Sequence, residues 1–204
     1  MFFAKLFTMK NKILLLFILQ LSWITAKAQD KTLPYYEIPP TPENFTGGNV
    51  AARMVDGLGF RFYWATEGLR PEDLSFKPGT EARTTQQTIE HIYEMSTIIL
   101  NSTKHVANVP QPEVKLDFVE IRKKTLLNLK EASDRLRAAS DQDMRDFKII
   151  FIQGDKSAEY PFWNQLNGPL ADCLWHVGQI VSFRRSSGNP FTEKISLFSG
   201  KVTN

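Results

Sequence analysis

Gly168-Pro169-Leu170-Ala171-Asp172-Cys173-Leu174-Trp175-His176-Val177-Gly178-Gln179-Ile180 is the stretch from which the rest of the chain can be read. A proline directly after a glycine suits the first turn of a helix, where its missing N–H costs nothing. The helix is expected to run to about Ser186 and to stop at Gly188-Asn189-Pro190. At about 100° per residue, Asp172, His176, Gln179 and Phe183 fall within an arc of roughly 60°. Asp172 and His176 stand four apart, a spacing at which two side chains of one helix reach one ion.

Three more long helices lie upstream. Asn49 caps one that runs to about Leu69, with Met54, Leu58, Phe62, Ala65 and Leu69 as its apolar stripe. Arg70-Pro71 ends it, and Leu74 to Gly79 form a loop. Thr84 or Thr85 caps the next, with Gln86 and Gln87 placed to help, and this helix reaches about Lys104. Ile89, Ile92, Met95, Ile98 and Ile99 supply its buried side, and His91 lies in the same arc. Beyond Pro110 and Pro112, a helix spans roughly Leu116 to Ala139. It turns Val119, Leu126, Leu129 and Leu136 inward and Arg122, Lys123, Lys130 and Glu131 outward.

Lys148-Ile149-Ile150-Phe151-Ile152, followed by Gly154-Asp155, reads as a strand of a small hairpin or as an extended connection. Phe162 to Asn167 reads as a helical turn, and Ile195 to Phe198 as a last strand. The expected fold is all-α: a four-helix bundle with a short hairpin or strand near 148–152 and 195–198.

Composition narrows the class. The 204 residues are 42% hydrophobic and 23% charged, values of an ordinary globular chain rather than a disordered or collagen-like one. One cysteine excludes both a disulfide scaffold and a thiolate zinc cage. The formal charge of +3 misleads. Residues 1–28 hold four of the 25 basic side chains and no acid, so the remainder carries 21 basic against 22 acidic groups, a net of −1. A near-neutral body gives no electrostatic case for nucleic acid.

Those first residues look like an address. Lys10 and Lys12 precede the apolar run Ile13 to Leu19, extended by Leu21, and Ala26-Lys27-Ala28 offers a small-x-small cleavage site. The run is shorter than the roughly 20 residues that span a bilayer. A signal peptide over 1–28 is expected, a buried or anchoring N-terminal helix being the alternative. Met9 would make a tidier charged start than Met1. The mature chain would begin at Gln29, with an extended leader over 29–48, broken by Pro34, Pro39, Pro40 and Pro42, and one domain over 49–204. Export to the periplasm or the extracellular space follows. Lipid attachment does not, because Cys173 lies far from the cleavage site, and no stable membrane span is expected after cleavage.

Of three histidines, His91 and His105 share a helix and stand roughly 21 Å apart, so at most one of them joins His176. An imidazole facing a bundle interior needs satisfied nitrogens, and bundle interiors are where facing helices assemble metal sites. The candidate ligands are therefore His91, Asp172 and His176. Two imidazoles and a carboxylate suit zinc, iron(II) or nickel and leave positions open. The plainer alternative is a hydrogen-bonded core histidine beside a local Asp172–His176 pair. Gln179 could orient a ligand or stand behind His91, and Glu94 could face the pocket edge. Trp64, Trp163, Trp175 and Tyr63 read as core, with pocket lining as the alternative. Arg184 and Arg185 suit the C-terminal end of a helix dipole, with an anion site as the alternative. Cys173 reads as a small buried hydrophobe, and His105 as surface or capping.

The stretch from Asp172 to Ile180 resembles the end motif of the DinB/YfiT-like superfamily, and Thr88-Ile89-Glu90-His91-Ile92 resembles its second-helix motif. Phe62-Tyr63-Trp64 through Leu69, then Leu74-Ser75 and Pro78, add to the likeness, which covers roughly residues 49–187. The resemblance implies a four-helix bundle holding a metal through three histidines. His91 takes the first ligand position and His176 the last, followed by Gly178-Gln179 as in the pattern. Asp172 stands where most members have the middle histidine, which leaves metal preference and occupancy open. Val177 stands where an arginine is common, so any anion contact of that arginine is absent.

Members of that superfamily include thiol-dependent transferases and isomerases and others thought to be hydrolases. Export counts against cytosolic thiol cofactors. The expectation is thus an exported, metal-dependent hydrolase or transferase acting on a small molecule. A non-catalytic module binding a metal or small ligand, or a structural bundle with a degenerate metal site, is the alternative. A homodimer stays open.

Overall fold

The computed structural model describes residues 33–112 and 115–203. The signal-peptide reading of residues 1–28, the choice of start methionine and the cleavage point lie outside these residues. The chain is mostly helical, with two small antiparallel strand pairs. Its helices are α1 (Gly47–Thr66), α2 (Pro71–Ser75), α3 (Thr85–Lys104), α4 (Phe118–Ala138), α5 (Asp141–Asp146) and α6 (Ala171–Ser186). A helical turn, Trp163–Gln165, and a π-helical turn, Leu166–Leu170, run directly into α6. The long helices α1, α3, α4 and α6 pack in a cycle, α1 on α4, α4 on α3, α3 on α6 and α6 on α1. No helix among the described residues is long and apolar enough to cross a membrane.

Local chemistry sets the helix ends. Thr84 accepts from the N–H of Gln87, whose side chain in turn accepts from the N–H of Thr84, so two otherwise orphaned donors are satisfied. His105 closes α3 in the left-handed conformation, at φ 54°. The cap of α1 is Thr46 rather than Asn49, and the helix ends at Thr66, three residues before Leu69. Arg70-Pro71 starts the short helix α2 instead, which runs into the expected loop as far as Ser75. Gly168 breaks the helical path at φ −95°, ψ −109°, so Gly168-Pro169 form a kink ahead of α6 rather than its first turn.

The core joins Leu58, Phe60, Phe62 and Tyr63 of α1 to Ile89, Ile92 and Ile99 of α3. Leu126, Leu129 and Leu136 of α4 and Cys173, Val177 and Ile180 of α6 complete it. Five assignments change. Met54 and Val119 are exposed. Arg122 is buried, because its guanidinium lies 4.6 Å over the Tyr63 ring and bonds Thr66 and Glu67. Trp163 and Trp175 are surface residues, while Trp64 and Tyr63 are core. The segment expected as a leader contributes to the core through Tyr35 and Ile38. The Tyr35 hydroxyl donates to Asp56, and the Trp64 indole donates to the Tyr36 carbonyl.

β1 (Lys148–Gln153) and β2 (Lys156–Pro161) form a hairpin around Gly154-Asp155, with Gly154 at φ 57°. Asn108 bridges to β1 on its other edge, its N–H donating to the Ile150 carbonyl. β3 (Ile195–Ser196) pairs with β4 (Lys201–Val202), so the last expected strand is shorter and doubles back. Ile38 N–H donates to the Gly200 carbonyl, which ties that small hairpin to the segment before α1.

Asp73, fully buried on α2, accepts from the Arg70 guanidinium, the Ser187 hydroxyl and the Asn189 amide. The Arg70 hydrogen bonds hold its carboxyl well below the usual carboxylate range, against the opposing effect of burial. A group acidified by folding stabilises fully above the unfolded carboxylate range, near pH 4, and loses that contribution as pH falls below it. Asp73→Asn is expected to lower unfolding free energy at pH 7 by roughly 2 kcal/mol. In urea titrations the gap to wild type is expected to close below about pH 4.

Candidate metal centre

α3 and α6 bring the three expected ligands together. His91 sits on α3, and Asp172 and His176 sit one turn apart on α6. Three ligand atoms, one from each residue, lie within 4.8 Å of one another. His91 Nε2 is 2.8 Å from Asp172 Oδ2, and His176 Nε2 is 3.5 Å from Asp172 Oδ1. The two imidazole centroids are 4.8 Å apart with the rings nearly perpendicular. This group could hold a metal ion.

The other ring nitrogens also have oxygen neighbours. His176 Nδ1 is 2.7 Å from the Gln179 side-chain oxygen. His91 Nδ1 is 3.9 Å from Glu94 Oε2, beyond hydrogen-bond length. Both neighbours stand three residues after their histidine. An Nδ1–H donated to Gln179 leaves the Nε2 lone pair of His176 free to bind. Gln179 thus serves His176, not His91. The signal was in the sequence, because an i, i+3 pair on one helix is a closer reach than a crossing to α3.

The site is a rim, not a sealed core. The side chains of His91, His176 and Asp172 are 21%, 16% and 40% exposed, and Glu94 is more open still. Trp175, one residue before His176, is exposed. Cys173, next to Asp172, points into the core instead. Burial raises its thiol far above the ordinary value, which removes it as a ligand or nucleophile. His105 stacks on Phe147, far along α3 from His91, and takes no part. Arg184 is buried and serves the end of α1 rather than an anion.

Compared with family models, with curated proteins and with solved structures, the chain matches none.

Gln179→Leu is expected to release His176 from its preferred tautomer. Nitrogen-15 NMR of the imidazoles should show His176 as the Nδ1–H form in wild type and as a mixture in the variant. An unchanged spectrum would mean that Gln179 does not hold the ring.

Proposed function

We propose that the chain is an exported protein of the DinB/YfiT-like kind, with α1, α3, α4 and α6 as its four-helix bundle. It binds one divalent ion through His91, Asp172 and His176 and acts on a small molecule as a hydrolase or transferase. One observation carries this reading. A carboxylate on α6 lies between an imidazole 81 residues away and another on its own helix, in a site open to solvent.

The donor set fits the group. Two imidazoles and one carboxylate suit zinc, nickel or iron(II), and three protein ligands leave positions for water or substrate. Bound there, such an ion would acidify water and polarise a carbonyl or phosphoryl oxygen. The chain's own residues prepare this. Gln179 fixes the His176 ring, and Asp172 offers an oxygen to each imidazole. Glu94 stands at the rim beside His91, where a carboxylate can accept a proton or steady that ring. Export favours hydrolysis over transfer to a cytosolic thiol.

The 2.8 Å contact also supports a second reading. Without an ion, that contact by itself joins Asp172 to His91. The chain would then be a non-catalytic module for a metal or small ligand, or a structural bundle with a degenerate metal site.

Metal analysis of protein purified without a histidine tag separates these readings. After supplementation with zinc, nickel and iron, about one ion per chain is expected, and less than about 0.2 would favour the structural bundle. His176→Ala should lose the ion together with any ester or amide turnover. Equal turnover in both proteins would contradict metal catalysis. Asp172→His is expected to raise affinity for zinc or nickel, since imidazole binds these metals more tightly than a lone carboxylate oxygen. Unchanged or weaker binding in a competition titration would contradict that.

A further inference from the structure

α1 carries two apolar stripes. One is buried and includes Ala51, Val55, Leu58 and Phe62. The other is exposed. It comprises Phe45, just before the helix, with Val50 and Met54 on it, and Met54 is 41% exposed. Opposite stands Trp163, at the end of the β1–β2 hairpin and 75% exposed. Between them lies a cleft of about 580 Å³, lined also by Met144, Phe162 and Leu166. Over Val50 and Met54 it continues into a second hollow of about 340 Å³ beside Phe45.

Single exposed apolar side chains are ordinary, but a two-walled trough of them is not. Its volume is that of a small-molecule site. Its two methionines can adapt to a flexible chain. The charge of its lining narrows the ligand further. Arg145 lines the cleft, is exposed, and has no ion-pair or hydrogen-bond partner for its side chain among the described residues. Arg53 lines the second hollow, its guanidinium donating to the Pro39 carbonyl. Asp141 is the one acid in the lining, so two guanidiniums against one carboxylate leave the trough cationic.

We propose that this trough binds a linear carboxylic acid, with the alkyl tail between Met54 and Trp163 and the carboxylate on Arg145. The site shares no residue with the His91–Asp172–His176 group, and the inference does not depend on a metal being bound there.

The probe is 12-bromododecanoate, whose bromine quenches tryptophan fluorescence, used below its micelle concentration with the full chain. Saturable quenching is expected in wild type and should largely vanish in Trp163→Phe. Arg145→Gln should weaken dodecanoate about five-fold, the worth of an exposed ion pair, and leave dodecanol binding unchanged. Met54→Asp, which puts a charge into the apolar wall, should weaken both by about ten-fold or more. These positions are exposed, so the circular dichroism melt should stay that of wild type. The proposal is overturned by an absence of saturable quenching, by quenching that persists in Trp163→Phe, or by an Arg145→Gln variant that binds dodecanoate normally. It is equally overturned if sedimentation shows a dimer that Met54→Asp breaks and dodecanoate does not, because the trough would then be an interface between two copies.

Discussion

The Arg184 guanidinium holds the architecture at the point where α1 ends. The last turn of α1 contains no basic residue, yet its carbonyls have no helical partners of their own. Arg184, reaching from α6, donates Nη1 to the carbonyls of Trp64, Ala65 and Glu67, and Nε to that of Asn189. Burial lowers its pKa against the raising effect of Asp73 and Glu67. A buried cation is tolerated because every donor direction used meets a carbonyl or amide oxygen. The result is rotational. With Arg184 pinned to the end of α1, the face of α6 that carries Asp172 and His176 is fixed against α3. At the other end of α6, the kink at Gly168 and the Gln165 amide, which donates to the Ile99 carbonyl, anchor the entry of the helix beside α3.

Asp172 gains its importance from that placement. Its Oδ2 lies 2.8 Å from His91 Nε2 and its Oδ1 lies 3.5 Å from His176 Nε2, so one carboxylate faces both imidazoles. The His91–Asp172 hydrogen bond thus ties α3 to α6 at this point. The rim location adds access. The exposed Glu94 stands beside His91, and the three candidate ligand side chains each keep part of their surface open to solvent.

Much of this was legible in the sequence. The four long helices follow from 3.6-residue periodicity, and spacing narrowed the cap of α3 to Thr84 or Thr85, of which Thr84 with Gln87 is the one used. The three candidate ligands were readable from His91 lying in the arc of Ile92 and Met95 and from the i, i+4 spacing of Asp172 and His176, although the structure places them at a rim and not in a sealed interior. What failed was information held by neighbours. Arg122 looks like a solvated helix face until Tyr63 and Glu67 are placed beside it. Arg184 looks like a dipole partner for its own helix until the bare end of α1 is known. Met54 matches the apolar period of α1, but the surface it would need to pack against is the open trough. Tyr35 was hidden by the prolines around it, which mark extended chain but not whether that chain is buried.

The most direct test of the account is an anomalous diffraction map collected at the zinc edge from crystals grown with zinc. The account predicts one strong peak about 2.0–2.2 Å from Nε2 of His91, Nε2 of His176 and a carboxylate oxygen of Asp172. A map with no peak between these three side chains, or with zinc bound only elsewhere on the surface, would contradict it.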